Sequence, residues 1–163
     1  MENKLTSVGI IPARYGASRF EGKVLADIGG KPMIQHVWER AKKARTLDDL
    51  IIAADDDRII KVVESFGGKA VFTSKDHASG TDRLKEIVNP LEVDIVVNIQ
   101  GDEPLLHQSM IDSLVHTLVD EKDAVMASLM KKIDDRVEIE NPNVVKVVVD
   151  KNNFALYFSR NPI

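Results

Sequence analysis

The chain has 163 residues, no cysteine and a net charge of -4 at pH 7, with 44% hydrophobic and 29% charged residues. That length buries one substantial core and is read as a single domain over residues 1–163, while the missing thiols exclude a disulfide framework, a thiolate zinc site and a cysteine nucleophile and fit a reducing cytoplasm. The mild acidity makes any phosphate-binding surface local and argues against a nucleic-acid partner, and no run reaches the roughly 18 apolar residues of a membrane span, so the cytoplasm is the expected location.

Ser7 to Pro12 is a short Ile-rich run ending in Pro, which predicts a buried strand that stops before a loop over residues 13–23. From Pro32, apolar residues recur at Met33, Ile34, Val37, Trp38 and Ala41, the spacing of one helix face, with Pro at its first position. A strand over Leu50–Ala54 follows. Asp55, Asp56 and Asp57 then precede Ile59, Ile60, Val62, Val63 and Phe66, and Gly67-Gly68 closes the pattern, so the acidic triplet is read as helix capping and stays outside the candidate site. Lys69–Thr73 is the next strand and Asp82–Val88 a short helix. Val93–Ile99 is almost continuously apolar and predicts a strand buried on both faces. A helix presenting Ile111, Leu114, Val115 and Leu118 and a strand near Ala124–Leu129 complete the alternation. Val144–Val149 and Phe154–Ser159 flank residues 150–153 and predict a hairpin. Strands alternating with helices predict an α/β fold whose sheet is mostly parallel, with ligands collecting at the carboxyl ends of its strands.

Three such ends carry chemistry. Arg14, Arg19 and Lys23 place three cations in one loop with Gly16 and Gly22, which suits a wrapped triphosphate, because glycine lets the backbone approach phosphate oxygens and arginine binds two of them through its planar fork. A solvated basic loop is the alternative. The segment is not a P-loop: five residues separate Gly16 from Gly22-Lys23, and Val24 stands where a magnesium-binding Ser or Thr would be. The second end, from Thr73 through Ser74, His77, Ser79, Gly80 and Thr81 to Arg83, offers hydroxyls and a helix start to a base and ribose, or caps that helix. The third, Asn98 to Pro104, places Asp102 just past a strand, where a carboxylate can hold Mg²⁺ against phosphate oxygens or organise the turn around Gly101. His36, His107 and His116 lack metal-ligand spacing and are read as surface or packing residues.

Taken in order, Ile11-Pro12-Ala13-Arg14-Tyr15, Gly22-Lys23, Asp76-His77, Ser79-Gly80-Thr81-Asp82-Arg83, Gln100-Gly101-Asp102-Glu103-Pro104 and Ala155-Leu156-Tyr157-Phe158-Ser159-Arg160 resemble the 3-deoxy-manno-octulosonate cytidylyltransferase family over essentially the whole chain. The resemblance implies a Rossmann-like, three-layer nucleotidyltransferase fold with a C-terminal hairpin, and magnesium as cofactor. It implies transfer of a cytidylyl group from CTP to 3-deoxy-D-manno-octulosonate, giving the CMP-sugar and pyrophosphate, for lipopolysaccharide biosynthesis. By the same likeness Pro12, Ala13, Arg14, Arg19 and Lys23 hold the triphosphate, and Thr73, Ser74, Ser79, Gly80 and Thr81 contact cytidine. Asp102 binds the metal, and Gln100 and Arg160 join Arg14 around the sugar acid, so that Arg14, Lys23 and Asp102 form the catalytic set. Another acid sugar such as a sialic acid, or CTP binding without turnover, are the alternatives. Two departures stand out: Glu21 and Val24 occupy positions where the family usually has Pro, which implies a looser loop around Lys23. The likeness further implies a segment beyond Ile163 that supplies a second metal carboxylate, more of the sugar pocket and much of a homodimer interface.

Overall fold

A computed structural model describes residues 5–16, 20–77 and 80–163. They fall into two compact units, Met1–Ala127 and Ser128–Ile163. In the first unit, β1 (Ser7–Ala13) and β4 (Asp49–Ala54) pair in parallel, with β5 (Lys69–Phe72) outside β4 and β6 (Ile95–Asn98) outside β1, also parallel. The helices are α1 (Met33–Ala41), α2 (Asp57–Ser65), α3 (Gly80–Val88) and α4 (Gln108–Asp120).

Alternation along the two central strands produces the layers. Ile11, Ala13, Ile52 and Ala54 face Ile34, Val37 and Ala41 of α1, Ile59 and Val63 of α2 and Ile111 and Val115 of α4. Val8, Ile10, Ile51 and Ala53 face the other way, onto Leu84 and Ile87 of α3. Successive strand side chains point to opposite faces, so a strand covered on both must be apolar throughout, as β1 and β4 are. This is the Rossmann-like, three-layer arrangement that the sequence predicts.

The edge strands differ from expectation. β6 is shorter than Val93–Ile99 and buries Ile95 and Val97 on one face only; Val96 is 36% exposed. Its apolar run reflects β propensity at a sheet edge, because among the described residues β6 pairs with β1 alone. No strand forms near Ala124–Leu129, where Val125 and Met126 are 98% and 82% exposed. The segment is largely apolar but meets no strand edge, and an apolar pattern makes a strand only where backbone partners exist. The first unit also contains a small hairpin outside the predicted elements, β2 (Asp27–Ile28) with β3 (Lys31–Pro32), turned by Gly29 and Gly30 at φ 62° and 86°. Gly-Gly between paired residues is the signal for such a turn. Pro32 is the N-cap of α1 rather than its first helical residue.

The second unit contains α5 (Arg136–Glu140), which the sequence reading missed although Asp135 caps it by accepting the Val137 amide at 2.9 Å. It also contains the expected hairpin, β7 (Lys146–Val149) with β8 (Ala155–Ser159). Asp150 organises the turn by accepting the amides of Asn152 and Phe154 at 2.8 Å each. Lys146 is 5% exposed, and its ammonium donates to the carbonyls of Asn141 at 2.9 Å, Val144 at 2.8 Å and Arg160, so all three of its donors meet backbone.

Candidate functional site

The chain runs from β1 through β4 to β5 on one side, then returns to β6 on the other side of β1. The carboxyl ends of β1 and β6 therefore lie side by side where the strand order reverses, and the crevice outside such ends is the usual ligand position in an open parallel sheet.

The loop after β1 is built around Tyr15. Its amide donates to an Asp55 carboxylate oxygen at 2.9 Å, and its carbonyl accepts the Gly22 amide at 2.7 Å, which closes the loop at its neck. Gly22 holds φ 67°, in the left-handed region, and an added Cβ would stand 3.2 Å from the Tyr15 ring. The Arg58 guanidinium carbon lies 3.4 Å from the centroid of that ring, and the same guanidinium donates to Asp56 at 2.7 and 2.8 Å. Val24 is buried in the core behind a short 3₁₀ turn over Lys23–Leu25. Tyr15 and Gly22 are thus joined by a backbone bond beside a stacked ring, and Val24 packs into the core.

Lys23 leaves this loop and reaches Asp102, past the end of β6, with Nζ 2.8 Å from a carboxylate oxygen. Gly101 makes the approach possible. A Cβ there would lie 2.8 Å from the Pro12 carbonyl oxygen, so the turn can sit against β1 only with glycine. Gln100 is exposed, and its carbonyl accepts the Glu103 amide at 3.3 Å across the same turn. Arg14 crosses the other way: its Nη2 donates to the His77 carbonyl at 2.8 Å and ties the first loop to the segment after β5. Gly80, the first residue of α3, lies against Pro12, since a Cβ at Gly80 would stand 3.5 Å from the proline ring.

Within that segment Ser74 and Thr81 are exposed, and the Ser74 amide and the His77 ring both bond Glu86 of α3, at 3.1 and 2.5 Å. The His77 ring and then the Ser74 amide hold the Glu86 carboxyl below the usual carboxylate range. Thr73 is fully buried. Its hydroxyl donates to the Ala54 carbonyl at 3.0 Å and accepts from Arg83, so it faces the protein rather than the crevice. Arg83, also fully buried, donates to Asp55 at 3.1 Å. Burial pushes the Arg83 guanidinium below its ordinary value, with Asp55 opposing. Removing one member of such a pair costs about 3–5 kcal/mol, because the other charge is left buried and unmatched.

The sequence-predicted residues Pro12, Ala13, Arg14, Lys23, Ser74, Gly80, Thr81, Gln100 and Asp102 all lie at carboxyl strand ends of the first unit. Arg19 and Ser79 lie outside the described residues. Arg160 belongs to the second unit, where its guanidinium donates to the Pro142 carbonyl at 3.1 Å. The acidic triplet needs correction. Asp56 caps α2 by accepting the Arg58 amide at 3.0 Å, as expected, but Asp55 does not share that role, being 7% exposed and turned toward Tyr15 and Arg83. The signal that separates them is positional: Asp55 directly follows the buried Ala53-Ala54 pair, still inside the layer that β4 fills.

A parallel three-layer sheet with Lys23 and Asp102 meeting past the carboxyl ends of β1 and β6 is the layout of an open α/β protein that takes its ligand at those ends. The profile of the cytidylyltransferase family matches residues 8–163, and the chain belongs to that family. The 3-deoxy-manno-octulosonate cytidylyltransferase of Syntrophobacter fumaroxidans is 57% identical over 96% of this chain, and that of Thermodesulfovibrio yellowstonii 50% identical over 98%. The chain spans 64% and 65% of their respective lengths. Among solved structures, a CMP:2-keto-3-deoxy-manno-octonic acid synthetase complexed with CTP is 47% identical, with a TM-score of 0.94, over 97% of this chain and 65% of its own. A 4-diphosphocytidyl-2C-methyl-D-erythritol synthase, 15% identical with a TM-score of 0.60 over 83% of this chain and 67% of its own, shares the fold alone.

Proposed function

We propose that this chain provides the nucleotide site of a cytidylyltransferase that joins CTP to 3-deoxy-D-manno-octulosonate, releasing pyrophosphate and forming the CMP-sugar for lipopolysaccharide assembly. The observation that carries the reading is the Lys23–Asp102 contact at 2.8 Å between the ends of β1 and β6, with Arg14 on the same β1 loop donating to the His77 carbonyl. The CTP named in the 47% identical synthetase and the names of the bacterial relatives support the choice of nucleotide and acceptor.

Phosphoryl and nucleotidyl transfer need alignment and charge neutralisation more than covalent help from the protein. Arg14 and Lys23 orient the triphosphate and offset charge on departing pyrophosphate. Closure of the loop at Gly22 and Tyr15 keeps those cations at a fixed distance from the end of β6. Exposed Ser74 and Thr81 offer hydroxyls to the nucleoside, and Gln100 lines the acceptor side.

Among the described residues no three Asp, Glu or His side chains cluster as a ready-made metal cage. Magnesium does not require one: it takes one or two carboxylates together with phosphate and water oxygens, and Asp102, 49% exposed at the strand end, fits that donor set. Asp102 would hold the ion, which would neutralise phosphate charge and acidify the attacking hydroxyl of the sugar acid.

The decisive experiment measures pyrophosphate release with CTP, Mg²⁺ and the sugar acid. Asp102→Ala is expected to lower the rate by about two orders of magnitude or more, and equal rates would remove Asp102 from this role. Faster turnover with a sialic acid would reassign the acceptor. CTP at about 100 times its dissociation constant should stabilise the chain by about 2.7 kcal/mol; no shift in melting temperature would overturn the nucleotide reading itself.

A further inference from the structure

Asp55 and Arg83 line no part of the crevice, yet they join the loop after β1 to the segment after β5. One oxygen of Asp55 accepts the Tyr15 amide at 2.9 Å and the other accepts Nη2 of Arg83 at 3.1 Å. Arg83 leaves the first turn of α3 and reaches the Thr73 hydroxyl, which in turn donates to the Ala54 carbonyl at 3.0 Å. A single chain of polar contacts thus runs beneath the site and links the exits of β1, β4 and β5 to the start of α3. Arg83 Nε has no hydrogen-bond partner among the described residues, although the side chain is fully buried.

A buried ion pair is weak evidence for stability, since apolar side chains of similar volume often fill such a place as well. What apolar side chains cannot do is accept the Tyr15 amide. The Tyr15 carbonyl meanwhile closes the loop onto Gly22, so the acceptor that Asp55 provides determines where the whole neck of that loop sits. The same pair holds Arg83 under Thr73, directly before Ser74.

Resting on the function proposed above, we propose that Asp55 and Arg83 are positioning residues for nucleotide binding: the pair sets the spacing between the neck of the loop after β1, at Tyr15 and Gly22, and the segment after β5 that carries Ser74, without touching the nucleotide.

Three variants test this in the full chain, each at a temperature where it is folded. Asp55→Leu combined with Arg83→Met replaces the pair with apolar bulk. It is expected to melt near the parent while the dissociation constant for CTP, measured by calorimetry, rises about tenfold or more, as for one lost charge-assisted hydrogen bond. Amide hydrogen exchange at Tyr15 and Gly22 should accelerate by a similar factor. Parent-like CTP affinity with unchanged exchange at both amides would overturn the proposal. Asp55→Asn and Asp55→Ala form the second comparison, which stands even if the double variant does not fold. Asn keeps one acceptor for the Tyr15 amide and should recover most of the CTP affinity and amide protection that Ala loses, whereas equal losses would assign the pair to structure alone. If the parent chain itself fails to bind CTP, the proposed function falls, and the exchange rates at Tyr15 and Gly22 still decide whether Asp55 and Arg83 position the loop.

Discussion

Gly101 illustrates how a single missing side chain can set a site. Its Cβ would meet the Pro12 carbonyl oxygen at 2.8 Å, a backbone atom in a paired strand that cannot rotate away. Gly101→Ala should therefore push the Gly101–Asp102 turn off β1, destabilising the chain by about 1–3 kcal/mol in urea unfolding and carrying Asp102 away from Lys23. A variant of unchanged stability would show that the turn relaxes freely. Sequence reasoning identified Gly101 as part of a motif but not this close approach, which depends on the packing of two strands far apart in the chain. Asp55 was missed for a related reason. Three adjacent aspartates before an apolar periodic run look alike in one dimension, and only burial at the end of β4 separates the capping Asp56 from the tethering Asp55.

Among the elements, β1, β4 and the helices packed on them were legible because their apolar periods are those of strand and helix, and the cap at Asp56 marks a boundary. The unformed strand near Ala124–Leu129 and the one-sided β6 were not, because a short apolar run reports local preference and says nothing of which edges find partners. The elements are joined at their amino ends by carboxylates. Asp112 of α4 accepts the amides of Arg45 and Thr46 at 2.8 and 3.0 Å and the Thr46 hydroxyl at 2.9 Å, while Asp94 accepts the Thr6 amide at 2.7 Å and its hydroxyl at 2.9 Å. Burial would raise the Asp112 pKa, but the hydrogen bonds from Thr46 and Arg45 outweigh it; those from the Thr6 amide and hydroxyl depress Asp94 likewise. Both groups bind protons less readily folded than unfolded. Their stabilisation is therefore complete above the unfolded carboxylate value, begins to fall as pH drops below about 4, and is lost as pH passes through the lower folded values. Melting temperature against pH should show that decline, and Asp112→Asn should flatten part of it. A curve of unchanged steepness in the variant would count against Asp112 as a contributor.

Over the whole molecule, protection should be uneven. The first unit encloses a sheet between two helical layers, whereas in the second Leu156, Tyr157 and Phe158 of β8 are 68%, 59% and 57% exposed, and a two-stranded hairpin is marginal in water on its own. Amides of β7 and β8 are therefore expected to exchange well before those of Ile10, Ile11, Ile51 and Ile52, as mass spectrometry of hydrogen exchange would show; equal protection would mean that the second unit is as firmly held as the first. The four-stranded sheet itself has a direction. At its amino edge Asp94, Asp112 and Asp48 fasten one segment to another, and at its carboxyl edge sit the cations, hydroxyls and Asp102. Because the fastenings and the candidate site occupy opposite ends of the same strands, side chains at the carboxyl edge can be replaced without loosening the joints that hold the strands at the amino edge.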